Sequence, residues 1–336
     1  MKDALQKKID LKIKPIGSLG KLEQIAHKIG LIQNSLSPEL KNPTHLVFAS
    51  DHGLADEGVS LYPKEVTFQM VMNFLSGGAA INVFCRQHNI HLKVVDAGVD
   101  YDFAEDLNLI HAKIARGTKN ILQEPAMSMD VCTQAMNKGK DILTAEFNTG
   151  CNIISFGEMG IGNTSAASLL LHKYTGHSII ECTGRGTGHD DNGLNKKINI
   201  LTQAAKKYNV NDPMEILATF GGLEIAMICG AMLQAKANKM VILVDGFITT
   251  AALLAAYQLD KSILDNCIFC HCSKENGHKY MLEYLGVEPL VNLDMCLGEG
   301  TGAVVTYPLI QSAVLFLNEM ASFKNAGVAN SSKTSN

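Results

Sequence analysis

Glu299 stands alone among small residues in Gly298-Glu299-Gly300-Thr301-Gly302. A carboxylate there gains little from packing. Its natural chemistry is to accept a proton from a nucleophile as a new bond forms. The bland reading is a solvated loop glutamate. The same Gly-x-Gly-Thr-Gly pattern recurs at Gly184-Arg185-Gly186-Thr187-Gly188, where the variable residue is a cation suited to phosphate or ribose. A third stretch, Gly157-Glu158-Met159-Gly160-Ile161-Gly162, runs into Asn163-Thr164-Ser165 and a helical pattern. Free backbone N–H groups and hydroxyls at a helix start make an anion site. The stretch lacks the Gly-Lys-Ser/Thr ending of a P-loop, and neither five-residue copy is a full G-x-G-x-x-G fingerprint. Tight connections alone would also explain such glycines.

Short apolar runs lead into these loops. They cover 44–53, 92–100, 151–160, 240–247 and 262–273, and they read as strands buried on both faces. Helical patterns lie between them at 66–89 (broken at Gly77-Gly78), 163–176 and 222–238. This alternation predicts an α/β fold, a mostly parallel Rossmann-like sheet with helices on both faces. A smaller helical lobe is expected from residues 1–40 and a closing helix over 306–325, around a catalytic domain over 41–305. Residues 326–336 have no apolar periodicity and are expected to be disordered.

Composition narrows the partners. The chain has 336 residues, 46% of them hydrophobic, and a net charge of -4, so nothing long-ranged draws it to nucleic acid or membrane. A bound phosphate must be held by local geometry. The charged start lacks a secretory h-region, and no uninterrupted apolar stretch of about 20 residues suggests a span. Many of the nine cysteines sit in apolar runs, which fits a reducing, cytoplasmic setting. Cys267, Cys270 and Cys272 read as buried strand cysteines, the last two on one face, because no second pair completes a zinc set.

Eight segments in order carry a more specific signal. They are KPIGSLGKLE (14–23), ASDHGLADEGVSLYPKEVTFQMVMNFLSGGAAIN (49–82), VVDAGVD (94–100), GEMGIGNTSAAS (157–168), TGRGTG (183–188), VDGFITTAA (244–252), HCSKENGH (271–278) and LGEGTGA (297–303). Together they resemble the nicotinate-nucleotide:dimethylbenzimidazole phosphoribosyltransferase family over nearly the whole chain. The resemblance implies an α/β nucleotide-binding-like domain with a smaller helical domain from both ends, and a homodimer with one site per subunit. It implies transfer of ribose 5-phosphate from nicotinate mononucleotide to a benzimidazole base, without metal or other cofactor. It places the catalytic base at Glu299 and a second carboxylate at Glu158. It implies a phosphate or carboxylate contact at Lys197, a phosphate-region residue at Ser273, and an acceptor-base pocket near Ser60 and Gln69. Lys274 stands where the family often has a small residue.

The chemistry fits these residue types. A pyridinium ring leaves ribose as a neutral nitrogen, so the bond is already activated. The benzimidazole attacks through one nitrogen while its other nitrogen holds a proton that a carboxylate can take. Attack opposite the leaving ring inverts the anomeric carbon from β to α. Glu299, whose flanking glycines would let a flat base come close, suits the base role, with its pKa raised by an apolar pocket. Glu158 would hold ribose hydroxyls or stabilise positive charge, or the two could exchange roles. Gly160, Gly162, Asn163, Thr164, Ser165, Gly186, Thr187, Gly188 and Lys197 form the expected phosphate cradle, and Gly298, Gly300 and Thr301 complete the substrate contacts. His52, His271 and His278 read as loop or supporting histidines, and Asp245 as near the site or a helix cap. Two other functions stay open. A dehydrogenase needs an acidic ribose-reading residue about 20 residues beyond a fingerprint loop. A nucleotide sensor would bind without turnover.

Overall fold

The structure is a computed structural model and describes residues 1–329 except Thr187 and His189. Residues 330–336 of the expected tail therefore lie outside the described residues. Six strands form one sheet: β1 (Thr44–Ser50), β2 (His91–Gly98), β3 (Ile110–His111), β4 (Ile153–Met159), β5 (Val241–Val244) and β6 (Cys267–Phe269). Every pairing is parallel, in the order β3-β2-β1-β4-β5-β6. The chain reverses direction across the sheet between β1 and β4. In such sheets the crevice beyond the strand ends at that point receives the ligand.

Helices cover both faces, as the alternation of patterns predicts. One face buries Leu46, Phe48, Ile154, Phe156, Ile242 and Val244 under the helices Met129–Asn148, Asn163–Thr175, Leu223–Ala237 and Phe247–Leu259. Val47, Ala49, Ile153, Val241 and Leu243 face the other side. There they meet Leu5 and Ile9 from Lys2–Asp10, Ile25 and Ile29 from Lys21–Ile32, and Ile310 and Leu317 from Thr301–Glu319. The chain ends are also tied directly, because Ile13 N–H donates to Ala321 O at 2.9 Å.

One local expectation needs correction. The apolar run 262–273 gives only three strand residues, because Asp260 accepts Ser262 N–H at 3.0 Å and starts a tight turn over Lys261–Asn266. The strand ends at Phe269, so alternation does not continue to Cys272. Cys270 lies in the core cluster on one face and Cys272 packs against the cluster on the other. Burial pushes the Cys267 and Cys270 thiols up to about 12, which leaves them inert. The expectation of no membrane span stands, although Val66–His88 and Thr301–Glu319 have the length and apolar character of one. The first is two helices, Val66–Ser76 and Ala80–His88, and the second buries one side in the core.

The helices Met129–Asn148 and Leu223–Ala237 cross at bare backbone. A methyl added at Gly139 would overlap the Met227 carbonyl, and one at Gly230 would overlap the Met136 carbonyl. Both neighbours are main chain, so neither can give way cheaply. Gly230→Ala should cost about 1–3 kcal/mol, the usual range for overpacking, read as a fall in Tm of several degrees. An unchanged Tm would show that the helices can separate freely.

Candidate active site

The strand ends on both sides of the β1–β4 crevice supply acidic side chains. Asp51 and His52 follow β1, Glu158 closes β4, and Asp245 follows β5. These three carboxylates, and Glu299 from a neighbouring loop, are no more than 6% exposed. Burial of a charge without compensation is expensive, so each must have partners. Asp51 accepts Asp100 N–H at 2.8 Å, and Asp245 accepts Ala303 N–H at 2.8 Å. Asp245 is therefore a helix cap, for the distant helix Thr301–Glu319 and not the next one along the chain. It also lies 3.5 Å from His271 Nε2.

Glu299 is buried, which removes the reading of a solvated loop glutamate. Its Oε2 accepts Ile81 N–H at 3.0 Å, in the first turn of Ala80–His88. Burial raises its pKa above the ordinary 4.5, partly offset by that bond. The flanking glycines have a different cause from the one expected. A methyl at Gly298 would overlap the Glu158 carboxylate, and one at Gly300 would overlap the His45 ring. They admit protein side chains, and Gly298 lets the Glu158 carboxylate pack against the loop that carries Glu299. Thr301 is fully buried, with its hydroxyl donating to Gly298 O at 3.1 Å, so it fastens the loop.

Glu158 is pushed up to about 8. Burial is the main cause. Glu224, Asp245 and Glu299 push in the same direction, against a hydrogen bond from Asn163. Asn163 Nδ2 donates to Glu158 Oε2. At neutral pH the Glu158 carboxyl thus holds its proton, and burial shifts the Glu299 carboxyl in the same direction.

The expected anion cradle comes together around one lysine. Lys197 is 1% exposed and its Nζ donates to Thr164 Oγ1 at 2.8 Å. Burial lowers it to about 8, with the Glu275 carboxylate acting in the other direction. Gly186 adjoins both Lys197 Nζ and Thr164 Oγ1. The turn is less open than its residue types suggest. Asn163 N–H donates to Gly160 O at 3.1 Å and Ser165 N–H to Gly162 O at 3.0 Å. Asn163's side chain is spent on Glu158, which leaves Thr164 as the residue on the lysine side. Gly162 adopts a φ of +98° and starts the helix Asn163–Thr175. Arg185 pairs with exposed Asp191. Gly188 is exposed, and Thr187 lies outside the described residues.

Ser273 N–H donates to His278 Nδ1 at 2.9 Å, and Ser273 Oγ accepts Glu275 N–H at 3.3 Å. This fixes the loop that carries Glu275 toward Lys197. Ser60 is half-buried, with its Oγ accepting Tyr62 N–H at 3.2 Å, while Gln69 is exposed on Val66–Ser76. That helix touches the crevice through Thr67, whose Oγ1 accepts Ile161 N–H at 3.1 Å. Among the described residues, no group of three His, Cys, Asp or Glu is arranged to hold a metal ion.

Sequence reasoning missed three side chains. Glu224 is fully buried and its Oε1 pairs with His52 Nε2 at 2.7 Å. His45 and Ser155 face each other across β1 and β4 at 2.7 Å. A shared signal existed, a polar residue set within an apolar stretch: His45 in HLVFA, Ser155 in IISF and Glu224 in LEIAMICGAM.

Comparison with known proteins agrees with this geometry. The nicotinate-nucleotide--dimethylbenzimidazole phosphoribosyltransferase of Dechloromonas aromatica (strain RCB) is 55% identical over 333 residues, covering 98% of this chain and 96% of that protein. The protein of the same name from Bacteroides fragilis (strain ATCC 25285) is 47% identical over 329 residues, covering 98% and 95%. The crystal structure of CobT from Thermus thermophilus superposes with a TM-score of 0.95 at 37% identity, covering 98% of this chain and 99% of that one. The family model described as phosphoribosyltransferase matches residues 1–328, and the chain belongs to that family.

Proposed function

We propose that this protein transfers the 5-phosphoribosyl group of nicotinate mononucleotide to 5,6-dimethylbenzimidazole or a related base. The products are α-ribazole 5′-phosphate and nicotinate, and the step belongs to cobalamin nucleotide-loop assembly. The observation that carries the reading is that Glu158 and Glu299 are both buried at the crevice, with the Glu158 carboxylate packed against Gly298 of the loop that carries Glu299. The names of relatives that match nearly the full chain support it.

In this reading the unprotonated benzimidazole nitrogen attacks the anomeric carbon. The bond to the pyridinium nitrogen breaks, and its electron pair stays on the departing ring. The proton on the other benzimidazole nitrogen passes to Glu299. Glu158 keeps its own proton at neutral pH and donates a hydrogen bond to a ribose oxygen. The donor's phosphate lies against Lys197, Thr164 and Gly186, where one buried cation outweighs the net charge of -4. Ser60 and Gln69 border the acceptor base, and Ser273 supports the phosphate loop. No cofactor takes part. The nine cysteines are all free, which suits a reducing cytoplasm, and a homodimer with one site per subunit completes the reading.

Purified protein mixed with nicotinate mononucleotide and 5,6-dimethylbenzimidazole should release nicotinate and an equal amount of ribosylated base, both read by chromatography. Binding without release would leave a nucleotide sensor. Glu299→Gln should lower turnover by about two or more powers of ten, as loss of a general base does. Glu158→Gln mimics a neutral carboxyl and should stay within about tenfold of the parent. The reverse ranking would give the base role to Glu158.

Lys197→Met keeps the buried stem and removes the charge. The Michaelis constant for nicotinate mononucleotide should rise roughly 10- to 150-fold, the worth of one charged contact, while that of the base changes little. Nicotinate riboside, which lacks the phosphate, should be nearly as poor a donor for the parent as for the variant. A loss confined to the base would place the phosphate elsewhere.

A further inference from the structure

Glu299 has a φ of +65°, a left-handed conformation that residues with side chains seldom adopt. Such strain persists only where surrounding contacts hold it. The Ile81 bond holds one end of the residue, the carboxylate. The other end, its carbonyl oxygen, is 2.8 Å from His45 Nε2. Gly157 on β4 leaves room for that carbonyl, since a methyl there would overlap it.

His45 is the second residue of β1 and is fully buried. Its Nδ1 lies 2.7 Å from Ser155 Oγ, on the residue directly opposite in the β1–β4 pair. A carbonyl oxygen only accepts, so Nε2 carries the hydrogen and donates it to Glu299. Nδ1 of a neutral ring is then bare and accepts from the Ser155 hydroxyl. Burial lowers the imidazole to about 4, which keeps the ring neutral near pH 7. The strand pair thus presents one N–H in one direction.

We propose that His45 is a positioning residue for the reaction: oriented by Ser155, its Nε2–H holds the Glu299 carbonyl and so keeps the left-handed bend that aims the carboxylate at Ile81. This rests on the reading of Glu299 as the base. A histidine that only filled the core would affect stability, and its loss would not depend on whether a carboxylate is present at position 299.

The test is a double-mutant cycle on the full chain, with nicotinate mononucleotide and 5,6-dimethylbenzimidazole as substrates. His45→Phe fills the ring's volume without a donor. It should lower kcat by about 10- to 100-fold, as small misplacement of a catalytic group does, with the Michaelis constant for the donor nearly unchanged. His45→Gln places an N–H near the Nε2 position and should recover most of the loss. Added to Glu299→Gln, His45→Phe should cost nothing further, because no base remains to be positioned. Should His45→Phe fail to fold, His45→Asn, which reaches Ser155 but not Glu299, carries the same comparison. Equal losses in the parent and Glu299→Gln backgrounds would overturn the positioning role while leaving the base intact. So would a His45→Gln variant as slow as His45→Phe. Full turnover by Glu299→Gln alone would instead remove the base reading, and this role with it.

Discussion

The cost of burying carboxylates at one edge of the sheet governs how this chain is assembled. An unpaired buried charge costs several kcal/mol, and each acid at the crevice meets that cost with a partner, most of them from a remote element. Glu224 takes His52 from the end of β1. Asp245 takes the first turn of Thr301–Glu319, and Glu299 takes the first turn of Ala80–His88. Glu158 takes Asn163, five residues away at the start of a helix. These bonds pin the helices of both faces to the same crevice. Fold and site therefore share their fastenings, and the strain at Glu299 is borne by a rigid sheet beneath it.

The same burial supplies the reactivity. Removal from water raises the proton affinity of both Glu158 and Glu299, and in the proposed mechanism one donates a hydrogen bond while the other accepts the proton. In the proposed reading it also lets a chain with net charge -4 take a phosphorylated donor. Lys197 is sunk beside Thr164 at a helix start, close to the place an anion would occupy and shielded from bulk solvent. Local geometry takes the place of a positive surface.

Much of this was legible from local signals. The strand-like runs identify β1, β2, β4 and β5, and the glycine loops mark the crevice, because turn chemistry and periodicity belong to neighbouring residues. The run 262–273 misled, since apolar composition does not show where Asp260 starts a turn. The glycines beside Glu299 drew attention for a reason the packing replaces: they make room for His45 and Glu158, not for a ligand. The links His52–Glu224 and His45–Glu299 join residues 172 and 254 positions apart. No local pattern encodes such pairs, although His45 as the one ionisable residue of THLVFAS and Glu224 within LEIAMICGAM hinted at them.

In the proposed mechanism Glu299 takes the proton of the attacking base. A crystal structure of the protein with 5,6-dimethylbenzimidazole and nicotinate tests it most directly. One benzimidazole nitrogen should lie within about 2.6–3.2 Å of the Glu299 carboxylate, the reach of a general base, with the other nitrogen facing the ribose position beside Lys197 and Thr164. A base whose nitrogen meets Glu158 instead, with Glu299 out of reach, would contradict it.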